Sequence, residues 1–596
     1  MPALRGVGSC TLGILQERTQ SADGPNAWTA IAVVVFLAVS SWLSSAIPAW
    51  HEGVSVHPGA AARVLESPGR PDATPVVRFE PSCHDHPGAV LRSEVRPVVK
   101  LCQGGRQLPV MISPYASGVP YWPSVLAWSW HRGNVFTLRW FGIAFGLASL
   151  LVTTALVRRL GGRQLGRVAA VLIAITPSFV FLHATVIHYE TLPWLAIAIG
   201  VLVLARCPEL APRSASETGP STPRLLGAAA CFALAVLANV KAVFLLGPLV
   251  LVAWRAGVRF GRIDAKRWIG MAVVTAVVLL PMVLATLGGP EGVEGQVDQR
   301  LSALARNLRP LHVAAELLNV GLFGADMLWY LLLASGNHTL PNVLAVVVVV
   351  PAVLHCMIVS VRFFVRRSGC PITAGCGALL ATFWLVSALL YDQFPAANHS
   401  PLCAVYGVAM ACSGLALARW IAARRPTWSR RAPLAVVAPV ALVLAWSSVG
   451  RGSPERFVTA SINAHAERAL TEHLVTHPEP SGTLLTTTYN LAGIFESLGE
   501  GELSPVQAHV FLSCPGDELG CLVTRFRTLF ETLPLPMRIV VPARAVPIDE
   551  SHVSVLPEAI RAATADTGLA LRREAAFTTT DGVEVLWLYR VEPVQK

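Results

Sequence analysis

Apolar residues run along this chain in long blocks, not in the 3.6- or 2-residue periods of elements that bury only one face. Blocks long enough to carry a helix across a bilayer, roughly 20 residues, stand at 29–47, 137–157, 166–183, 190–206, 225–240, 242–257, 268–288, 341–361, 372–391, 401–419 and 433–449. The pattern predicts an α-helical polytopic membrane protein with about eleven transmembrane helices. The first block follows a polar stretch and has no small-residue cleavage pattern after it. It reads as an uncleaved anchor behind a cytoplasmic tail, 1–28.

Lys and Arg in the short connections fix the expected orientation. Arg158, Arg159, Arg163 and Arg167 share one connection, and Arg206, Arg213 and Arg224 another. Further ones hold Arg255, Arg259, Arg262, Lys266 and Arg267; Arg362, Arg366 and Arg367; and Arg419, Arg424, Arg425, Arg430 and Arg431. The alternate connections near 184–189 and 392–400 hold neither Lys nor Arg. The basic turns are therefore expected in the cytoplasm, together with the polar loop 208–223. The stretch 311–335 is apolar but carries Glu316, Asn319 and Asp326. If it crossed, the turn with Arg362, Arg366 and Arg367 would fall outside, so it is expected to be re-entrant or interfacial. The membrane domain is then 29–449, with an outer loop 48–118 and an interfacial segment 289–340.

The tail 450–596 changes character. It is polar, with β-type runs at 483–488, 537–541, 570–578 and 582–591 and helical stretches near 490–498, 517–532 and 554–567. Asp581-Gly582 marks a hairpin between the last two runs. A small extracytoplasmic α/β domain is expected.

Composition closes off several classes. Of 596 residues, 53% are hydrophobic and only 14% charged, against about 25% charged in soluble proteins. A cytosolic enzyme is excluded. The net charge of +11 comes from arginines spread between spans, so nucleic acid is not an expected partner. The chain lacks a phosphate-binding Gly-x-x-x-x-Gly-Lys-Ser/Thr loop and a Gly-x-Ser-x-Gly elbow, so ATP-driven transport and serine hydrolysis are unsupported. Of the 12 cysteines, Cys83 and Cys102 share the outer loop, and Cys514 and Cys521 share the tail. Each pair suits a disulfide in an oxidising compartment; most others sit in or beside spans as packing residues.

Ionisable residues near the outer rim are the candidates for chemistry. Lys241 sits at a turn between two apolar runs, where a charge costs about 2.5–3.5 kcal/mol on insertion scales. It is there to bind an anion or it snorkels to the interface. Arg139 heads a helix on the outer side, against the positive-inside bias, and suits a phosphate or a lipid headgroup. His399, after Asn398, opens a late helix whose free N–H groups attract anions. Glu190, with His188 and Tyr189, opens a span, where the helix dipole also favours an acid. His84, Asp85 and His86, with His51 and His57, raise a metal reading on weak spacing alone.

Several segments resemble the GT-C glycosyltransferases of family 39, a group that includes protein O-mannosyltransferases and lipid A aminoarabinose transferases. Pro114–Gly162 resembles the family's second-helix region, with Tyr115, Arg139 and Arg158-Arg159 at its marked places. Leu234–Trp254 resembles a Gly-Leu-x-x-Leu-Thr-Lys element, with Lys241 in the Lys place, and Phe394–Trp420 resembles a late Arg-Tyr-x-x-Pro helix start. The tail ending DGVEVLWLYRV resembles the outer domain of many bacterial members. The acidic pair usual after the first helix reads His51-Glu52 here, a departure from the pattern.

The resemblance implies a GT-C-like bundle in a bacterial inner membrane. It implies inverting transfer of a sugar from a polyprenyl-phosphate donor to a lipid, glycan or protein acceptor on the outer face, without metal or other cofactor. Glu52 would be the general base, with Asp85 the fallback before Glu66 and Glu80. Lys241, Arg139 and His399 would hold the donor phosphate, with Asp85, Tyr115, His188 and Glu190 lining the substrate and Glu316, Asp326 and Trp329 toward the acceptor. Two alternatives stand beside it: a non-catalytic relative that binds lipid-linked sugar, favoured by His51, and a lipid or solute transporter, which would predict internal repeats that the chain lacks.

Overall fold

The computed structural model describes residues 27–46, 76–79, 99–103, 106–113, 116–122, 135–185, 192–210, 220–287, 307–325, 340–390 and 401–449 except 430. In the tail it describes 464–479, 482–487, 506–508, 518–543, 555–578 except 566, and 582–594, together with the single residues 304, 503 and 512.

Each of the eleven apolar blocks contains a helix: α1 (Ala27–Ala46), α2 (Val135–Gly161), α3 (Arg163–Ile175) with α4 (Pro177–Thr185), α5 (Leu192–Leu204), α6 (Thr222–Ala238), α7 (Val243–Arg255), α8 (Ala265–Leu287), α10 (Leu340–Arg366), α11 (Pro371–Leu390), α12 (Cys403–Arg424) and α13 (Ala432–Val449). Helix α9 (Pro310–Ala325) lies in the interfacial segment. The protein is a polytopic α-helical membrane protein, but the count of eleven is not reached among the described residues. Seven helices are long and apolar enough to cross, or eight if α3 and α4 form one broken span. The reason is length: α5 and α7 have 13 residues each and α6 has 17, and at about 1.5 Å per residue all three fall short of a ~30 Å core.

The α3–α4 break, a 56° bend, follows from Pro177, which lacks an N–H and biases Thr176 toward extended backbone. The freed polar groups find partners. Thr176 Oγ1 donates to Leu172 O at 2.6 Å, and Ser448 Oγ of α13 donates to Ile175 O at 3.0 Å. Helix α9 is held by two donors at its carbonyls: half-buried Trp384 through Nε1 on Val313 O at 3.0 Å, and the buried Tyr406 hydroxyl on Val320 O at 2.7 Å. Satisfying backbone acceptors this way is what burial within a bundle demands.

The basic ends of the helices interlock on one side. Arg159 donates to Ala205 O, Arg224 to Arg206 O, Arg262 to Glu209 O, and Arg255 to the carbonyls of Phe363 and Phe364 at the end of α10. Cations on helix C-terminal carbonyls are favoured by the helix dipole. The same contacts tie the ends of α2, α5, α7 and α10 to one level, the grouping that the distribution of arginines predicted.

Two sheets lie outside the bundle. In the outer loop, β1 (Val76–Phe79), β2 (Val99–Gln103), β3 (Arg106–Ser113) and β4 (Ala116–Ser117) form an antiparallel meander in that order. The hydrophobic pattern did not predict it, because the strands are short and polar-rich. In the tail, β5 (Thr483–Thr486), β6 (Val506–Gln507), β7 (Met537–Pro542), β8 (Leu569–Thr578) and β9 (Glu584–Pro593) pair in the order β6-β5-β7-β9-β8. The β5 pairings are parallel, and β7–β9 and β8–β9 are antiparallel. Helices α15 (Glu518–Thr532) and α16 (Leu556–Ala565) cover one face, and α14 (Ala464–Thr476) packs with the residues of the other. Between β8 and β9 stands Gly582 at φ 78°, a conformation that disfavours a Cβ, while Asp581 lies outside the described residues.

A bulge in β8 between Arg573 and Ala575 leaves Glu574 outside the ladder. Its carboxylate instead accepts from Arg538 Nε at 2.9 Å and Nη2 at 2.5 Å, with His473 Nε2 at 3.5 Å. Partial burial pushes the Glu574 carboxyl up, but Arg538 and then His473 outweigh it, and the net direction is below the ordinary value. A carboxylate depressed in the folded state stabilises above its unfolded pKa, and that contribution is lost as pH falls through the folded one. Glu574→Gln is therefore expected to cost roughly 2–3 kcal/mol of tail-domain stability at neutral pH, by leaving Arg538 half-paired. The deficit should shrink in acid melts of the full-length protein; a deficit independent of pH would refute the pairing.

Candidate functional site at the outer rim

Arg139 lies one turn into α2, at the end opposite Arg158-Arg159. It is 1% exposed and donates from Nη1 to Ser44 O, near the outer end of α1. A guanidinium is the cation best suited to such burial, because it stays charged and has five donors to place. One of them is committed to closing α1 against α2.

Lys241 sits in a single 3-10 turn, Val240–Ala242, between α6 and α7. Buried Asn239 makes this turn: its Oδ1 accepts the Lys241 N–H at 3.0 Å, and its carbonyl accepts the Ala242 N–H at 2.9 Å. An Asx side chain that satisfies backbone donors is a common way to reverse a chain where the helix ladder stops. Asn239 was missed from the sequence, although an Asn two residues before a lone Lys between apolar runs was the available signal.

Packing carries these two cations to one side. Ala238, the last residue of α6, clusters with Leu192 and Leu195 at the start of α5, with Phe145 of α2 beside them. Phe145 lies six residues further into α2 than Arg139. Met111 of β3 and Leu237 of α6 form a separate buried cluster, flanked by Val278 and Met282 of α8. The hairpin end closes with Ser117 Oγ donating to Val110 O at 2.7 Å and accepting from Val119 N–H at 3.1 Å. One rim of the bundle thus gathers the end of α1, the start of α2, the start of α5, the turn with Lys241 and the docked sheet β1–β4.

Glu52, Asp85, Tyr115, His188, Glu190 and His399 lie outside the described residues, so the structure assigns them no geometry. The chain does fix their neighbours. Leu192 follows Glu190 by two residues, and Ala116 follows Tyr115 directly. One buried polar residue had no place in the sequence reading of this region, and one that did is buried as well. His183 of α4 is enclosed by Phe36, Phe179 and Gly146 and hydrogen-bonds to the Gly142 backbone. Glu316 of α9 is also buried, four residues from Val320, whose carbonyl binds Tyr406.

No family model matches this sequence, and no curated protein matches it. Solved structures do. ArnT from Cupriavidus metallidurans bound to undecaprenyl phosphate aligns over 95% of this chain and 98% of its own, with a TM-score of 0.55 at 10% identity. The apo form of that protein aligns over 94% and 98%, with a TM-score of 0.51 at 11% identity. The Archaeoglobus fulgidus oligosaccharyltransferase complex with Zn and sulfate gives 86%, 68% and 0.49 at 14% identity. The class is therefore a polytopic membrane protein of the GT-C glycosyltransferase fold, as the order of its motifs led us to expect. The likeness to ArnT extends over nearly the whole of both chains.

Proposed function

We propose that this protein is a membrane glycosyltransferase that moves a sugar from a polyprenyl-phosphate carrier to a lipid, glycan or protein acceptor on the outer face of the membrane. The observation that carries the reading is the gathering of Arg139 and Lys241 at one rim of a GT-C bundle. It is supported by the undecaprenyl phosphate held by ArnT. Cys521 of the tail is disulfide-bonded, which supports an oxidising, extracytoplasmic location in a bacterial inner membrane.

In this mechanism an acceptor heteroatom attacks the anomeric carbon from the face opposite the carrier. The bond from that carbon to the phosphate oxygen breaks, and configuration inverts. Glu52 takes the acceptor proton as the new bond forms. Lys241, Arg139 and His399 stabilise the charge that builds on the departing phosphate, a monoester that leaves without help from a metal. Asp85, Tyr115, His188 and Glu190 line the sugar. The departure at His51 supports a second reading, a relative that binds the lipid-linked sugar without transferring it.

The test is transfer from undecaprenyl-phosphate-linked sugars in proteoliposomes, read beside undecaprenyl phosphate binding. Lys241→Met is expected to weaken carrier binding by about 10- to 100-fold, the loss of one charge-assisted contact. Carrier binding at wild-type strength in Lys241→Met would sink the phosphate role. Binding without transfer of any sugar would select the scaffold reading.

A further inference from the structure

The turn between α12 and α13 lies on the basic side, away from the rim just described. Its sequence, RWIAARRPTWSRR (419–431), holds five arginines in thirteen residues, and the chain has no Asp or Glu from 393 to 454. The turn is compact. Arg425 N–H bonds Ile421 O at 2.8 Å, Trp428 N–H bonds Arg425 O at 2.9 Å, and Arg431 N–H bonds Trp428 O at 2.9 Å. Arg424, Arg425 and Arg431 are thereby drawn around one short 3-10 turn, Pro426–Trp428, and all three are exposed.

Their situation differs from that of Arg159, Arg224, Arg255 and Arg262, each of which donates to a backbone carbonyl. Among the described residues, the guanidiniums of Arg425 and Arg431 have no protein acceptor, and Arg424 lies with its Cζ 4.0 Å over the ring of Trp420. Trp420 is 52% exposed and Trp428 45%. Half-exposed indoles beside a span belong at the water–hydrocarbon boundary. They set the depth of the neighbouring guanidiniums at the level of lipid phosphates. A guanidinium stacked on an aromatic face keeps its in-plane N–H donors free for a phosphate.

We propose that this turn is a binding site for anionic phospholipid headgroups of the basic-side leaflet, with Arg424, Arg425 and Arg431 on the phosphate and Trp420 and Trp428 seating the glycerol region. The site is separate from the outer-rim chemistry and stands whether or not sugar is transferred. The occupant is a lipid and not a soluble anion, because the aromatic residues that frame the arginines are placed for a molecule with an apolar part.

The test uses the full-length protein in mixed nanodiscs of palmitoyl-oleoyl phosphatidylglycerol and phosphatidylcholine, read by native mass spectrometry. Wild type should retain phosphatidylglycerol over phosphatidylcholine. The triple change Arg424→Gln, Arg425→Gln, Arg431→Gln should lower that preference by at least about tenfold, given roughly a fivefold contribution per juxtamembrane cation. Lys266→Gln, at another basic turn, should leave it within about twofold. A wild-type protein without preference would overturn the proposal, even if the triple variant failed to fold. So would an equal loss in Lys266→Gln, which would mean diffuse attraction. Displacement of the bound lipid by millimolar inorganic phosphate would overturn the lipid assignment.

Discussion

Glu52→Gln should reduce sugar transfer by about 10²- to 10⁴-fold, the usual worth of a positioned general base, while leaving undecaprenyl phosphate binding within about twofold. The amide keeps the size and the hydrogen-bonding reach of the side chain but cannot take a proton from the acceptor. The two readouts separate chemistry from binding. A loss of both would mean that Glu52 shapes the site and does not serve as its base. Unchanged transfer would move the base to another outer acid, with Asp85 tested first. The experiment is informative because His51-Glu52 stands where the resemblance implies an acidic pair, so at this place Glu52 is the carboxylate that the reading commits to.

The largest stability effect is expected at a glycine inside the bundle. A Cβ on Gly377 of α11 would stand 1.9 Å from the carbonyl oxygen of Cys356 and 2.3 Å from its carbon, both backbone atoms of α10. A side chain can rotate away from such a contact, but a helix backbone cannot. Gly377→Ala must therefore push α10 and α11 apart along a seam that also includes Cys376, Leu379 and Leu380. Small residues at crossing points are how helices approach closely in lipid, where no hydrophobic drive separates protein from solvent. Overpacking of this kind costs typically 1–3 kcal/mol, and a clash against backbone belongs at about 3 kcal/mol or beyond. The control is Gly227→Ala on α6, where an added Cβ meets nothing within 4 Å. Thermal unfolding of purified full-length protein should show Gly377→Ala clearly lowered and Gly227→Ala unchanged or slightly raised. Equal midpoints for the two would mean the crossing is not tight.

The sequence reading reached different depths in different places. Every apolar block proved to contain a helix, because in lipid a backbone must satisfy its own hydrogen bonds locally. The span count fell short where helices were cut by features that a hydropathy window averages over, such as Pro177 in the third block and the 13-residue lengths of α5 and α7. The strands β5, β7, β8 and β9 were legible within a residue or two from β-branched runs and the Asp581-Gly582 turn. Strands β1 to β4 were not, since their 2- to 8-residue segments carry no sustained period and are stabilised by docking Met111 against Leu237. In the candidate site, Lys241 stood out as a lone charge among apolar neighbours. Asn239, which shapes its turn, did not.

By itself the sequence determined which segments form apolar helices, that the arginines gather at one side of them, and which ionisable residues stand among apolar neighbours. These are properties of consecutive residues against a solvent of fixed thickness. Only the tertiary structure decided that Arg139 closes onto Ser44, 95 residues earlier, that the start of α5 meets the end of α6, and that α10 touches α11 through Gly377. Helices that are apolar all round carry no stripe to announce their partners. Their faces are chosen by shape and by a few buried polar groups, and those terms exist only once the helices are in contact.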